Sequence, residues 1–282
     1  MPDIVLTVDV DPDANKPVEG RADAVTAGLD RVCVQACREG LYQLHRILGN
    51  FNLPATLFWE ARTLRLLTHT APELIRSICQ CERYEHACHG YRHEDLPGDV
   101  SGVPLHRSDL RAIVRQSKNI IAGVTGERPI GFRAPYCRLP DWAFAVIHRC
   151  GIEYDSSRTA RLHFSGHPPP ITPYVPENLP EGCQLRELPL ISTIDQNGDA
   201  ISGYLWQLFE GNRSVEDYRH MVETIAQSGS SMPPQLAIHP WHLSVNGDGQ
   251  KLPAGVGAAQ FTELIHMLHR DNSWQWGNLA SC

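Results

Sequence analysis

Short apolar segments alternate with stretches of helical periodicity along the whole chain, and that rhythm leaves few folds open. Ile4 to Val10 is an apolar run rich in β-branched residues that stops at Asp11-Pro12, the pattern of a buried strand ending in a polar loop. Residues 22–48 place Val25, Leu29, Val32, Leu41, Leu44 and Leu48 on one helical face. Ala55 to Trp59 reads as a second strand, Pro72 to Cys81 as a helix with Pro in its first turn, and Glu85 to His89 as a third strand. The rhythm continues with a helix over Ser108–Val124, a strand over Ile130–Phe132, a helix over Asp141–Cys150 closed by Gly151, and a strand over Ile152–Tyr154. Glu187–Ile191 (strand), Val215–Gln227 (helix), Gln235–His239 (strand) and Ala258–His269 (helix) complete it. Strands alternating with helices predict an α/β fold with a mostly parallel sheet, open or closed into a barrel. Such folds carry their sites at the C-terminal ends of the strands.

One stretch breaks the pattern. Residues 158–185 contain Pro168, Pro169, Pro170, Pro173, Pro176 and Pro180, which no helix or central strand tolerates. A long loop is expected there, and its length makes it the candidate substrate-shaping element. The 282 residues suffice for one α/β barrel, so residues 1–282 are read as a single domain. A formal charge of −7 argues against a nucleic-acid partner. No apolar run approaches the ~18 residues of a membrane span. The first residues lack the basic and apolar regions of a signal peptide, so the nine cysteines are expected to be reduced thiols of a cytoplasmic protein.

Chemistry collects at the predicted strand ends. Asp9 and Asp11 share one side of the first strand, where two carboxylates repel unless a cation or a shared proton offsets them. Asp before Pro commonly starts a turn, which accounts for Asp11 but not for Asp9 inside an apolar strand. His89 and His93 end the third strand and meet one metal ion if the chain turns there. With fourteen histidines, chance pairs also arise. His86 falls on the opposite strand face and is expected to be no ligand. Arg133 can pair with a site carboxylate or be a surface charge. Asp155 can serve the site or cap a turn. His239 is a candidate general acid or a satisfied core histidine.

The order of these segments is more specific than any one of them. Thr7-Val8-Asp9-Val10-Asp11, His89-Gly90-Tyr91-Arg92-His93-Glu94, Phe132-Arg133-Ala134-Pro135-Tyr136, Tyr154-Asp155-Ser156-Ser157 and Ile238-His239-Pro240 together resemble the motifs of the polysaccharide deacetylase, or NodB-homology, family (carbohydrate esterase family 4). The Asp-x-Asp form of the first motif resembles the cytosolic branch. The Trp that often follows the fourth motif is absent.

The resemblance implies a distorted (β/α) barrel of the NodB-homology type. It implies that Asp11, His89 and His93 hold a divalent metal, usually Zn2+, with Co2+ or Ni2+ as substitutes. Asp9 is then the general base, Arg133 its partner, His239 the general acid, Asp155 the group on the other His239 nitrogen, and the Tyr136 backbone N–H an oxyanion donor. The implied reaction removes an N-acyl group, acetyl first, from a small-molecule amino sugar or glycoconjugate. Cyclic-amide hydrolysis of the allantoin or imide type, deformylation, and an inactive carbohydrate-binding role are the alternatives. Cys79, Cys81 and Cys88 lack zinc-site spacing and are expected to be free thiols. His163 and His167 fall in the Pro-rich loop, Trp241 is a stacking or packing residue, and Trp59 and Trp206 are core or interface candidates. The tryptophans of the C-terminal half permit a homo-oligomer.

Overall fold

Every residue of strand β1 (Ile4–Val10) is buried, the pattern of a central parallel strand covered on both faces. The computed structural model describes residues 3–159, 172–177, 179–195, 199–270 and 274–282. After β1 come a hairpin of β2 (Asn15–Val18) and β3 (Arg21–Thr26), then α1 (Gln35–Asn50), β4 (Ala55–Trp59), α2 (Ala61–Thr70), α3 (Pro72–Cys79) and β5 (Tyr84–Cys88). The middle of the chain gives α4 (Arg107–Thr125), β6 (Gly131–Phe132), α5 (Asp141–His148), β7 (Tyr154–Asp155) and β8 (Arg186–Glu187). A second hairpin, β9 (Ser192–Ile194) and β10 (Ala200–Ser202), precedes α6 (Trp206–Phe209), α7 (Val215–Gln227), β11 (Gln235–Ile238), α8 (Val256–Arg270) and β12 (Trp276–Gly277).

The main sheet runs β11-β1-β4-β5-β6-β7-β8, with β12 also paired to β1, and every pairing in it is parallel. It curls into a half-barrel, the α/β architecture expected from the alternation. The Gln235 side chain crosses between the two edges, donating to the carbonyls of Leu188 (3.2 Å) and Pro189 (3.0 Å). Because all strands point the same way, Asp11, His89, Arg133 and His239 emerge together at the C-terminal rim.

Helix α1 shows how packing sets the site's frame. Leu41, Leu44, Ile47 and Leu48 are buried. At roughly 1.5–3 kcal/mol each, they outweigh the penalty of about 1 kcal/mol for Gly40 in a helix interior. Gly40 is needed there, because a Cβ would lie 1.7 Å from the Pro240 carbonyl oxygen. The helix therefore presses directly on the backbone that follows His239. Its first turn is anchored by Asp13, which accepts from the Ala36 (2.9 Å) and Cys37 (2.7 Å) N–H groups.

One expectation requires correction, and one helix is additional to the sequence reading. Residues 22–26 are strand β3, not the start of a helix, and α1 begins only at Gln35. The reason is tertiary pairing: Ala24 N–H donates to the Arg92 carbonyl (3.3 Å) and Asp95 N–H to the Ala22 carbonyl (2.9 Å), so the hairpin is drawn onto the loop of the two histidines. Helix α2 was not anticipated, because its cap is the uncommon Glu60, whose side chain accepts from Thr63 N–H. Of the Pro-rich loop, residues 160–171, with His163 and His167, lie outside the described residues. Beyond them, Tyr174 pairs antiparallel with Glu187.

Candidate metal centre

Asp11, His89 and His93 are all buried, and one ligand atom from each lies within 4.8 Å of the others. His89 and His93 bring their Nε2 atoms to 3.2 Å, and His93 Nε2 is 3.0 Å from Asp11 Oδ2. His89 comes from the end of β5. Its Nδ1 donates to the Arg133 carbonyl at 2.8 Å, which leaves the Nε2 lone pair facing the cluster. His93 reaches the same point because its backbone takes the left-handed conformation, φ 55°. Glu94 holds that turn by accepting from the Tyr91 (3.1 Å) and Arg92 (2.9 Å) N–H groups. Asp11 is fixed by two donors, the Trp241 indole N–H on Oδ1 (2.8 Å) and the Asn15 amide on Oδ2 (2.9 Å).

Burial lowers His89 to about 4 and His93 to about 3, against the pull of Asp9, so both imidazoles are neutral. Burial raises the Asp11 carboxyl, with Asp9 adding to it and His239 and His89 opposing. Two neutral imidazole nitrogens and one buried carboxylate oxygen form a donor set that fits a zinc-type ion and leaves positions for other ligands.

Beside this cluster, Asp9 is fully buried and paired with an equally buried Arg133 at 2.9 Å. Burial alone would raise the Asp9 carboxyl, but the Arg133 guanidinium, with His89, His239 and the Tyr204 hydroxyl, holds it at about 2. All five Arg133 N–H donors find acceptors: Asp9 Oδ1, Thr7 Oγ1, the Ser156 carbonyl, Ser156 Oγ and Gln235 Oε1. Its guanidinium also sits 4.3 Å from the Phe58 ring centroid. The Tyr204 hydroxyl bonds Asp9 Oδ2.

His239 Nε2 lies 3.5 Å from Asp11 Oδ2, and burial lowers its pKa to about 4 despite the nearby Asp11. The structure does not bring Asp155 to it: His239 Nδ1 has no hydrogen-bond partner among the described residues. Asp155 instead accepts from the Ser157 hydroxyl (2.8 Å) and N–H (2.9 Å), and Ser157 Oγ accepts from Ala134 N–H (2.8 Å). The Asp155 carboxyl also meets that of Glu187; burial raises both, and their proximity favours a shared proton. Asp155 thus braces the segment that carries Arg133. Tyr136 has a left-handed backbone, φ 57°, and its ring meets His93 edge-on with centroids 4.4 Å apart. Its buried hydroxyl has no partner among the described residues.

The structure places His86 away from the cluster, accepting from the Trp59 indole at 3.0 Å. The nine cysteines are free thiols. Trp241 is buried at the site as an Asp11 donor. Sequence reasoning missed that role and missed Tyr204 and Asn15 altogether. Asn15 lies four residues beyond Asp11 and carried a usable local signal; Tyr204 carried none.

The geometry agrees with what comparison finds. The polysaccharide deacetylase family model matches residues 23–154, which include His89, His93, Arg133 and Tyr136 but not Asp9, Asp11, Asp155 or His239. A peptidoglycan deacetylase-like protein from Gibberella zeae is 33% identical over 95 residues, 32% of this chain and only 26% of the relative's own length. A Mycobacterium smegmatis structure assigned as a polysaccharide deacetylase superposes with TM-score 0.64 at 22% identity, covering 97% of this chain and 86% of the other. The Puue allantoinase structure superposes with TM-score 0.67 at 16% identity, covering 99% and 87%. These two likenesses establish the fold as the curled, distorted barrel. The family match over residues 23–154, the fold and the buried Asp-His-His cluster agree with one another, and over that stretch the chain is similar to the polysaccharide deacetylase family.

Proposed function

We propose that this chain is a metal-dependent amide hydrolase that removes an N-acyl group, acetyl first, from an amino sugar or a related small conjugate. The observation that carries the reading is the juxtaposition of the buried Asp11–His89–His93 cluster with the Arg133-paired Asp9. Asp11, His89 and His93 would hold the ion, which when bound supplies Lewis acidity toward the amide carbonyl and lowers the pKa of water.

The protein's own groups do the rest. Asp9, kept ionised by Arg133, takes the proton of the attacking water. His239 is neutral at rest, so it serves as acid once the proton that Asp9 takes from the water has moved on to it, and it passes that proton to the departing amine nitrogen, leaving Asp9 ionised again. The Tyr136 backbone N–H faces the developing oxyanion in this reading. Asp155 acts at one remove, by holding Ser157 against the Ala134 N–H. A single catalytic domain, a cytoplasmic location and the Asp-x-Asp branch are parts of the same proposal. No helix among the described residues is long and apolar enough to cross a membrane.

The test is elemental analysis of the purified protein, with His89→Ala and His93→Ala beside it, followed by acetate release from N-acetylated amino sugars. About one zinc-type ion per chain, lost in both variants, is the expected result. A native protein that binds no zinc or cobalt would refute the reading and turn the search to metal-independent cyclic-amide hydrolysis.

A further inference from the structure

Tyr204 sits where the proposed base and the proposed acid meet. Its hydroxyl donates to Asp9 Oδ2 and lies 3.3 Å from His239 Nε2. Its ring stacks on the His239 imidazole, with centroids 5.2 Å apart and planes at 30°. The other Asp9 oxygen is held by Arg133, so both oxygens of this carboxylate are fixed by donors arriving from different parts of the barrel.

The fold builds this placement deliberately. Gly203 lies so close to β11 that a Cβ would stand 1.6 Å from the Gln235 carbonyl oxygen. That approach lets residues 203–205 line the β11 edge: Ala237 N–H donates to the Gly203 carbonyl (2.8 Å) and Leu205 N–H to the Ala237 carbonyl (2.9 Å). From α7, the Tyr218 hydroxyl donates to the Tyr204 carbonyl at 2.8 Å. The Tyr204 side chain packs with Cys137, Leu190 and Ala237. A phenol on so many anchors is a rigid arm.

We propose that Tyr204 is a positioning residue of the hydrolase, its hydroxyl bridging Asp9 and His239 so that base and acid keep a fixed separation across the scissile amide. The inference rests on the function proposed above. A phenol hydroxyl has one proton to give and lone pairs to accept with, so it can donate to the Asp9 carboxylate and accept from His239 Nε2–H at once. Without it, Asp9 keeps only the Arg133 bond on one oxygen, and misplacement by about 1 Å is enough to lower turnover about a hundredfold.

Tyr204→Phe keeps the ring and its stacking and removes only the hydroxyl. With an N-acetylated amino sugar as substrate, kcat should fall roughly ten- to hundredfold while KM stays within about twofold. Zinc bound per chain should not change. A second arm needs neither metal nor turnover. In metal-free protein carrying tyrosine labelled with carbon-13 at the hydroxyl-bearing ring carbon, the resonance that disappears in Tyr204→Phe should move in Asp9→Asn. Unchanged kcat in Tyr204→Phe, a rise in KM alone, or loss of zinc overturns the positioning role while leaving the hydrolase reading in place. A native protein that binds zinc but releases no acyl group overturns the hydrolase reading, and the positioning role with it. A Tyr204 resonance indifferent to Asp9→Asn overturns the bridge itself.

Discussion

Replacing Arg133 with Met should destabilise the metal-free protein severely, and the size of the effect can be worked from the structure. Arg133 and Asp9 are both fully inaccessible, 2.9 Å apart. Holding the Asp9 carboxyl at about 2 rather than the ordinary 3.8 corresponds to a stabilisation on the order of 2 kcal/mol at neutral pH. Because the folded value is depressed, that contribution is complete above pH 3.8 and is lost as the pH falls through about 2, so a measurement at pH 7 captures all of it. Removing one partner of a buried pair generally costs about 3–5 kcal/mol, since the remaining charge is stranded. The carbonyl of Ser156 and Oε1 of Gln235 also lose a donor, which places the expectation toward the upper end. For 282 residues at about 2.1 cal/mol/K each, the unfolding entropy is about 0.6 kcal/mol/K, so Tm should fall by about 5–8 °C. Calorimetry in chelator at pH 7 measures it. Asp9→Asn added to Arg133→Met removes the stranded charge and should recover part of the loss. A fall under about 2 °C, or a double variant no more stable than Arg133→Met, would refute the argument that Arg133 compensates a buried Asp9 charge.

Three other outcomes follow from particular contacts. Trp241→Phe removes the indole donor from Asp11 and should weaken zinc binding roughly 10- to 100-fold in a chelator competition; unchanged affinity would mean the bond does not orient the ligand. His239→Ala should retain zinc and lose about a hundredfold or more in turnover, and a variant that turns over normally would remove His239 from the acid role. Burial raises Glu60 to about 8, so the folded protein keeps a proton that the unfolded chain releases above about 4.5. Stability should therefore fall with rising pH, by up to about 1.4 kcal/mol per unit, until about 8. Urea midpoints from pH 5.5 to 8 should show this slope in the native protein and a flatter one in Glu60→Gln; equal slopes would show that Glu60 is ionised when folded.

The parallel barrel was legible because its strands are short, fully buried and spaced by helices, as Ile4–Val10 and Ala55–Trp59 illustrate. The candidate metal cluster was legible for a related reason: parallel strands deliver their ends to one rim, so Asp11 and His89 needed only to follow strand ends, with His93 on the turn that follows β5. What stayed hidden depended on contacts that leave no local trace. Tyr204 is an ordinary aromatic residue until residues 203–205 lie on β11. Asp155 occupies the expected strand end, yet its oxygens face Ser157 and Glu187, a matter of side-chain direction that motif order does not encode. Strand β3 was misread because Val25 also fits a helical face, and only its bonds to the His89–His93 loop decide between the two.

The central place of β1 in the sheet also makes the site a late event in folding. Asp11 and its indole donor Trp241 are separated by 230 positions. Loop closure over such a span is among the least favourable steps entropically, so these contacts form after the local helix and hairpin structure. At ribosomal rates of roughly 5–20 residues per second, Asp11 would emerge on the order of ten to fifty seconds before Trp241. Until β11 docks beside β1, two carboxylates at the end of the first strand remain open to water and to any cation. Tight metal capture should therefore accompany the last stage of assembly, and the rate at which refolding protein acquires zinc would serve as a clock for closure of the barrel.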